Sequence, residues 1–222
     1  MSKSQRIVTV VVAAGSGSRF GGDMPKQFRL LAGRPLLMHT VQAFERALPG
    51  QEIVLVLSPD TRDLWLSLCD SYGCRSPRIV AGGKTRWESV KNAVSTVTDA
   101  DIILVHDGAR PLVDADTIHR VVDTAAAHGA CVPVVPVTDS LRRADTGLAV
   151  DRTPFRAVQT PQGFDAGLLR RAYAAPYQDW FTDDASVVEH AGHPIAMTDG
   201  SPANIKVTYP QDIRFAESLL QG

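Results

Sequence analysis

Residues 7–14 (Ile-Val-Thr-Val-Val-Val-Ala-Ala) form a continuous, mostly β-branched apolar run that ends in glycines, the pattern of a strand buried on both faces of a parallel sheet. After a glycine-rich stretch over 15–27, Pro35 starts a helix. Its apolar positions Leu36, Leu37, Val41, Phe44 and Leu48 recur at helical spacing, and Pro49 and Gly50 stop it. The run 53–57 predicts another strand. Asp60 or Thr61 then caps a helix that carries Leu64, Trp65, Leu68, Cys69 and Tyr72 on one face. Residues 78–81 read as a short strand before Gly82 and Gly83, and Trp87, Val90, Val94 and Val97 mark the helix after it. The run 102–105 is again a buried strand, followed by a polar turn over 106–110 and a helix with Ile118, Val121, Val122 and Ala125. Residues 131–136 predict the next strand.

Strands that alternate with amphipathic helices across short loops predict an α/β fold, a Rossmann-like doubly wound and mostly parallel sheet with ligands at the carboxyl ends of its strands. Gly15, Gly82 and Asp107 fall on that edge. Between 137 and 161 the pattern changes to short β-prone pieces with polar turns, including Asp145-Thr-Gly147, which read as a β-hairpin arm. Helices over 165–173 and 184–191, a strand over 195–197 and a helix over 210–220 complete the chain. At 222 residues the chain fits a single domain, 1–222, with the arm as surplus length.

Composition narrows the function classes. Forty-four per cent hydrophobic and 21% charged residues make an ordinary globular protein, which rules out intrinsic disorder and disulfide-dependent miniature folds. With Lys+Arg 23 against Asp+Glu 24 there is no global field for nucleic acid or an anionic membrane, so any anion must be held locally. Cys69, Cys74 and Cys131 match no zinc or redox spacing, and a reducing cytoplasm suits them. The apolar run before Gly15 is too short for a signal segment or a membrane span, so a soluble cytoplasmic protein is expected.

The candidate chemistry begins in the loop that follows the first strand, Ala13-Ala-Gly-Ser-Gly-Ser-Arg-Phe-Gly-Gly-Asp-Met-Pro-Lys-Gln27. The dinucleotide fingerprint G-x-G-x-x-G would need glycine where Phe20 stands, and no acidic residue directly closes the second strand, which disfavours NAD or a methyl donor. Gly83-Lys84-Thr85 ends like a P-loop, but Arg78 occupies the position of its first glycine. What remains is a glycine-rich loop containing Arg19 and Lys26. Small residues let backbone N–H groups approach a triphosphate, and two cations supply charge where phosphoryl transfer develops it. Asp107, directly after its strand, is a lone carboxylate suited to Mg²⁺ or a ribose hydroxyl, or else a turn former before Gly108.

These residues resemble the L-x-A-G-G-x-G-x-R…P-K signature of nucleotidyltransferases, and the Pro-Lys-Gln27 form is similar to the 2-C-methyl-D-erythritol 4-phosphate cytidylyltransferase family of the non-mevalonate isoprenoid pathway. The resemblance extends through Gly82-Gly-Lys-Thr-Arg-Trp-Glu-Ser-Val90, Val105-His-Asp-Gly-Ala-Arg-Pro111, Gln159-Thr-Pro-Gln162, Thr182-Asp-Asp-Ala-Ser186 and Asn204-Ile-Lys-Val-Thr208. It implies the nucleotide-diphospho-sugar transferase type of the fold. It also implies attack by a sugar-alcohol phosphate on the α-phosphorus of CTP, assisted by Mg²⁺, with no covalent intermediate.

By the same resemblance, Arg19 and Lys26 stabilise the transition state and the leaving pyrophosphate, and Arg152 and Lys206 position the attacking phosphate. CTP is bound by Ala13, Ala14, Gly15, Gly17, Gly82, Gly83, Ser89, Asp107 and Arg110, with Asp107 as the metal ligand. The second substrate meets Ser140, Arg152, Thr160, Thr182 and Lys206. Gly108 stands where the family usually has alanine, and Ser140 where it has threonine. Read alone, Arg152 is a solvated charge, Ser89 a helix-surface serine and His106 a packed turn residue. The family's arm crosses to a second subunit, which implies a homodimer through 137–161 in which Arg152 serves the partner's site. Ribitol- or ribulose-5-phosphate cytidylyltransferases share these motifs, and a non-catalytic nucleotide sensor would keep the binding glycines.

Overall fold

The computed structural model describes residues 5–15 and 24–221. The first apolar run is β1 (Ile7–Val12). A small hairpin of β2 (Leu30–Leu31) and β3 (Arg34–Pro35) leads into α1 (Leu36–Ala47). There follow β4 (Glu52–Leu57), α2 (Arg62–Tyr72), β5 (Arg78–Ala81), α3 (Arg86–Thr96), β6 (Ile102–Asp107), α4 (Ala115–His128) and β7 (Ala130–Pro136). The later elements are β8 (Leu141–Arg142), β9 (Ala149–Val150), β10 (Arg156–Val158), β11 (Gln162–Asp165), α5 (Ala166–Ala172), α6 (Asp184–His190), β12 (Ala196–Asp199) and α7 (Gln211–Gln221).

The main sheet has the order β10-β7-β11-β6-β1-β4-β5, with β12 also paired to β7. Pairs β1–β4, β1–β6, β4–β5 and β7–β12 are parallel, whereas β11 runs antiparallel between β6 and β7. This is the expected doubly wound α/β sheet. Successive strand residues point to opposite faces, so the sheet feeds two cores. Val11, Leu55 and Leu104 pack under α1, α2 and α4, while Val10, Val56 and Val105 pack under α3, α5 and α6. The chain winds outward from β1 through β4 to β5 and then returns to β6 on β1's other side, which opens a crevice at the carboxyl ends of the strands.

Four readings need correction. The turn expected over 106–110 begins two residues late, because His106 and Asp107 complete β6, paired with Val11 and Val12. Strand β11 has no sequence counterpart. It is short and contains Gly163, where a Cβ would lie 2.8 Å from Val121 of α4, so tertiary crowding rather than β-propensity selects that position. Within 137–161 only β8 and β9 form a separate hairpin, and Arg156–Val158 returns to the main sheet against β7. Neither Asp60 nor Thr61 caps α2 through its side chain. Residues Pro59–Thr61 form a 3₁₀ turn instead, and the Thr61 hydroxyl donates to the Ser58 carbonyl.

All three cysteines are free. Among the described residues no helix is long and apolar enough to cross a membrane.

Candidate active site

A cleft of about 410 Å³ opens at the carboxyl ends of β1 and β6, lined by the start of the glycine loop, the loop between β5 and α3, the Asp107 turn and Lys206. Local geometry brings each wall in. Gln27 is buried and its side-chain amide donates to the Ala13 carbonyl (2.9 Å), which pins the Pro-Lys-Gln segment against the end of β1. Phe28, also buried, ends a 3₁₀ turn over Lys26–Phe28 and packs beside Trp65. Lys26 is thereby held at the cleft, with Nζ donating to the Val207 carbonyl (3.0 Å). That contact joins the first loop to the segment carrying Lys206.

The opposite wall is a tightly closed turn. Thr85 caps α3 by accepting from the Glu88 N–H, and the Glu88 carboxylate accepts from the Lys84 N–H (2.6 Å). The Ser89 hydroxyl donates to the Thr85 carbonyl (2.9 Å) and accepts from the Gly83 N–H (3.0 Å). One acceptor lone pair remains on that hydroxyl. Gly82 must be glycine for a steric reason, since a Cβ there would lie 2.4 Å from the Ala14 Cβ.

Asp107 is the electrostatic centre. Its Oδ2 lies 2.8 Å from Lys206 Nζ and 3.7 Å from Arg110 Nε, and its Oδ1 lies 3.6 Å from Arg86 Nε. Burial opposes its charge, but Arg86 and Lys206 outweigh that penalty and hold the carboxyl well below the usual carboxylate range. The strand end beneath it is fixed by hydrogen bonds. The Asp107 N–H donates to Thr160 Oγ1 (3.0 Å), and that hydroxyl lies 3.1 Å from His106 Nδ1. Because His106 Nε2 faces the Arg110 carbonyl (3.1 Å), it carries the proton, leaving Nδ1 to accept from Thr160. Burial lowers the His106 pKa to about 4, so the ring stays neutral.

The sequence-predicted residues thus divide into groups. Ala13, Ala14, Gly15, Lys26, Gly83, Ser89, Asp107 and Lys206 line the cleft, and Gly82 backs its wall against Ala14. Arg110 lies behind Asp107, its Nη1 donating to the Asn204 carbonyl (2.7 Å). Thr160 is buried, with its hydroxyl turned to His106 and Asp107 rather than lining the cleft. Thr182 is exposed on the loop before α6. Ser140 and Arg152 are exposed on the arm and do not line this cleft, and the Arg152 guanidinium bonds the Thr138 carbonyl of the arm itself. Arg19 and Gly17 lie outside the described residues.

Two charged side chains at the cleft stand inside the quoted motifs without a role of their own. Arg86, the first residue of α3, lines the cleft, and Asp184, the first residue of α6, is fully buried against it. Gln27 likewise stands in the Pro-Lys-Gln27 motif without a role of its own. The available signal for Arg86 was position: a cation at the first turn of the helix that follows a strand's carboxyl end.

Among the described residues no group of three His, Cys, Asp or Glu side chains could hold a metal ion. Mg²⁺ ordinarily takes one or two carboxylates plus substrate phosphates and water, so a single carboxylate is a fitting but incomplete donor set. Asp107 Oδ1, with Arg86 Nε beyond hydrogen-bond range, is the oxygen available.

A family model described as 2-C-methyl-D-erythritol 4-phosphate cytidylyltransferase matches residues 7–222. The chain is 47% identical over 220 residues to the protein of that name from Porphyromonas gingivalis, covering 97% of this chain and 98% of that one. The crystal structure of the Thermus thermophilus protein of that name is similar at 33% identity and TM-score 0.76, covering 96% of this chain and 98% of that one. A crystal structure of 4-diphosphocytidyl-2C-methyl-D-erythritol synthase is similar at 33% identity and TM-score 0.82, covering 99% and 100%.

Proposed function

The chain belongs to the 2-C-methyl-D-erythritol 4-phosphate cytidylyltransferase family, and from that premise we propose how its cleft works. The protein is a nucleotidyltransferase that transfers CMP from CTP to 2-C-methyl-D-erythritol 4-phosphate in isoprenoid precursor biosynthesis. A phosphate oxygen of the acceptor attacks the α-phosphorus of CTP, a new P–O bond forms, and the bond to the bridging oxygen of pyrophosphate breaks. The acceptor phosphate is already a nucleophile at pH 7, so no base is required. The work left to the protein is positioning and charge neutralisation.

The observation that carries this reading is the meeting of Lys26, Lys206 and Asp107 at the carboxyl edge of the sheet. Lys26, with Arg19, offsets charge on the transferring and leaving phosphates, and Lys206 receives the acceptor phosphate. The remaining lone pair of Ser89 suits the exocyclic amine of cytosine, whereas uracil would present an oxygen there. Gly15, Gly82 and Gly83 let backbone approach the nucleotide, Arg110 steadies Asp107, and Thr160 holds the strand end beneath it. Asp107 would hold Mg²⁺, and the ion would supply charge neutralisation for the triphosphate there.

The same reading assigns a homodimer. Leu148, Phe155 and Val158 expose apolar surface on the 137–161 segment, and Arg152, outside its own chain's cleft, serves the partner's acceptor site together with Ser140. Thr182 contacts an acceptor hydroxyl. The protein works in the cytoplasm without nucleic acid or membrane.

The test is pyrophosphate release from four nucleoside triphosphates against methylerythritol 4-phosphate, ribitol 5-phosphate and hexose 1-phosphates. CTP with methylerythritol 4-phosphate is the expected pair, and release lost to EDTA should return with Mg²⁺. Preference for another acceptor or nucleotide overturns the reading.

A further inference from the structure

Arg86 has no assigned part in the reaction, yet it touches both halves of the cleft. Its Nη1 and Nη2 donate to Asp184 Oδ1 (3.0 Å) and Oδ2 (2.7 Å) as a two-pronged fork, while its Nε lies 3.6 Å from Asp107 Oδ1. The Arg86 side chain is 32% exposed, and the residue lines the cleft, whereas the Asp184 side chain is fully buried.

Asp184 is itself fixed from two further directions. The Tyr173 hydroxyl donates to its Oδ1 (2.6 Å), and the backbone N–H groups of Asp184 and Ala185 donate to the Gln162 side-chain carbonyl (3.1 and 3.0 Å). Gln162 belongs to β11 and pairs with Val105 of β6, two residues before Asp107. The path from α3 to α6, to β11, to β6 and back through Asp107 to Arg86 is therefore a closed ring. Its other links would survive without Arg86, but the ring would open where it crosses the cleft wall.

We propose that Arg86 is a positioning residue that ties the nucleotide-side turn before α3 to the acceptor side, setting Asp107 and the Thr182 loop ahead of α6 relative to one another. The assignment rests on the cytidylyltransferase reading above. Lysine could not substitute, because an ammonium is a point charge and offers no fixed fork to Asp184 together with a third nitrogen toward Asp107. The turn before α3 holds its own shape through the Thr85–Glu88 cap and the Ser89–Gly83 bond, and Asp107 keeps its 2.8 Å contact with Lys206, so the nucleotide-side turn does not depend on the fork. The acceptor subsite does, through Asp184.

Kinetics should therefore split. In Arg86→Lys, KM for the acceptor phosphate rises at least about tenfold and kcat falls by a similar factor, as expected of a displacement under 1 Å, while KM for CTP stays within about threefold. A second variant separates positioning from scaffolding. Arg86→Met/Tyr173→Phe/Asp184→Leu replaces the buried polar cluster with apolar side chains, a change that is often neutral or stabilising to a fold. Its thermal midpoint is expected near that of the wild type, with acceptor KM and kcat still impaired.

Wild-type kinetic constants in Arg86→Lys overturn the proposal whatever the triple variant does. Wild-type kinetics in a folded triple variant also overturn it, since Arg86 would then only balance a buried charge. Absence of CTP-dependent turnover in the wild type would instead refute the underlying function.

Discussion

Gly82→Ala tests the geometry of the nucleotide wall directly. The added methyl would sit 2.4 Å from the Ala14 Cβ, 3.1 Å from Ser89 Oγ and 3.4 Å from the Leu57 carbonyl oxygen. Two carbons prefer about 3.5–4.0 Å, so the β1 end and the loop after β5 must separate by roughly 1.1–1.6 Å. Neither Cβ can rotate away, and the shift falls on backbone that is tethered by the Gly82 N–H to the Leu57 carbonyl (2.8 Å) and by the Gly83 N–H to Ser89. Overpacking of this kind costs about 1–3 kcal/mol. At roughly 2–4 °C per kcal/mol for a chain of this size, the thermal midpoint should fall by about 2–12 °C.

The functional cost is larger because a displacement near 1 Å at a reacting site is worth up to about a hundredfold. Differential scanning fluorimetry and pyrophosphate release with CTP varied at saturating acceptor measure the two effects. The expected result is a CTP KM raised about tenfold or more. Gly50→Ala is the control. Gly50 has φ +79° but nothing within 4 Å of an added Cβ, so the variant loses stability through backbone strain and keeps its CTP KM. A Gly82→Ala protein with the wild-type midpoint and CTP KM would refute the claim that the two loops are in contact there.

Three further outcomes are expected. Lys26→Ala lowers turnover at least about a hundredfold with the fold intact, read by pyrophosphate release and circular dichroism, and near-normal release removes Lys26 from the chemistry. Mixing inactive Arg152→Ala with inactive Lys26→Ala protein restores part of the activity if the arm crosses between subunits, and a mixture no better than its components, despite shown subunit exchange, rejects the crossing. Asp114 caps α4 by accepting from the Thr117 N–H (2.6 Å), so Asp114→Ala costs about 1 kcal/mol in urea unfolding and leaves kinetics unchanged. Burial opposes the Asp114 charge, but the Thr117 bonds and Arg120 hold its carboxyl below the ordinary value. The cap's advantage is therefore complete above about pH 4 and fades as pH falls further, and a difference that grows on acidification contradicts it.

Much of this protein was legible in residue order. The β-branched runs at 7–14, 53–57 and 102–105 specify strands covered on both faces, and the helical spacing of Leu37, Val41 and Phe44 or of Ile118, Val121 and Ala125 specifies what covers them. Glycines after the first strand, with Lys26 in the same loop, pointed to the edge where the cleft opens, since binding an anion needs small residues and cations close together in sequence. Tertiary structure alone decided that His106 and Asp107 complete β6, that Gly163 lies in a central antiparallel strand, and that Thr160 turns inward. The physical reason is range. Periodicity records which side of an element faces the core, but a neutral buried imidazole, or a fork between Arg86 and Asp184 98 positions apart, exists only through partners that folding brings together. Residue order set the edge where the site lies, and packing across the sheet chose which charges meet there.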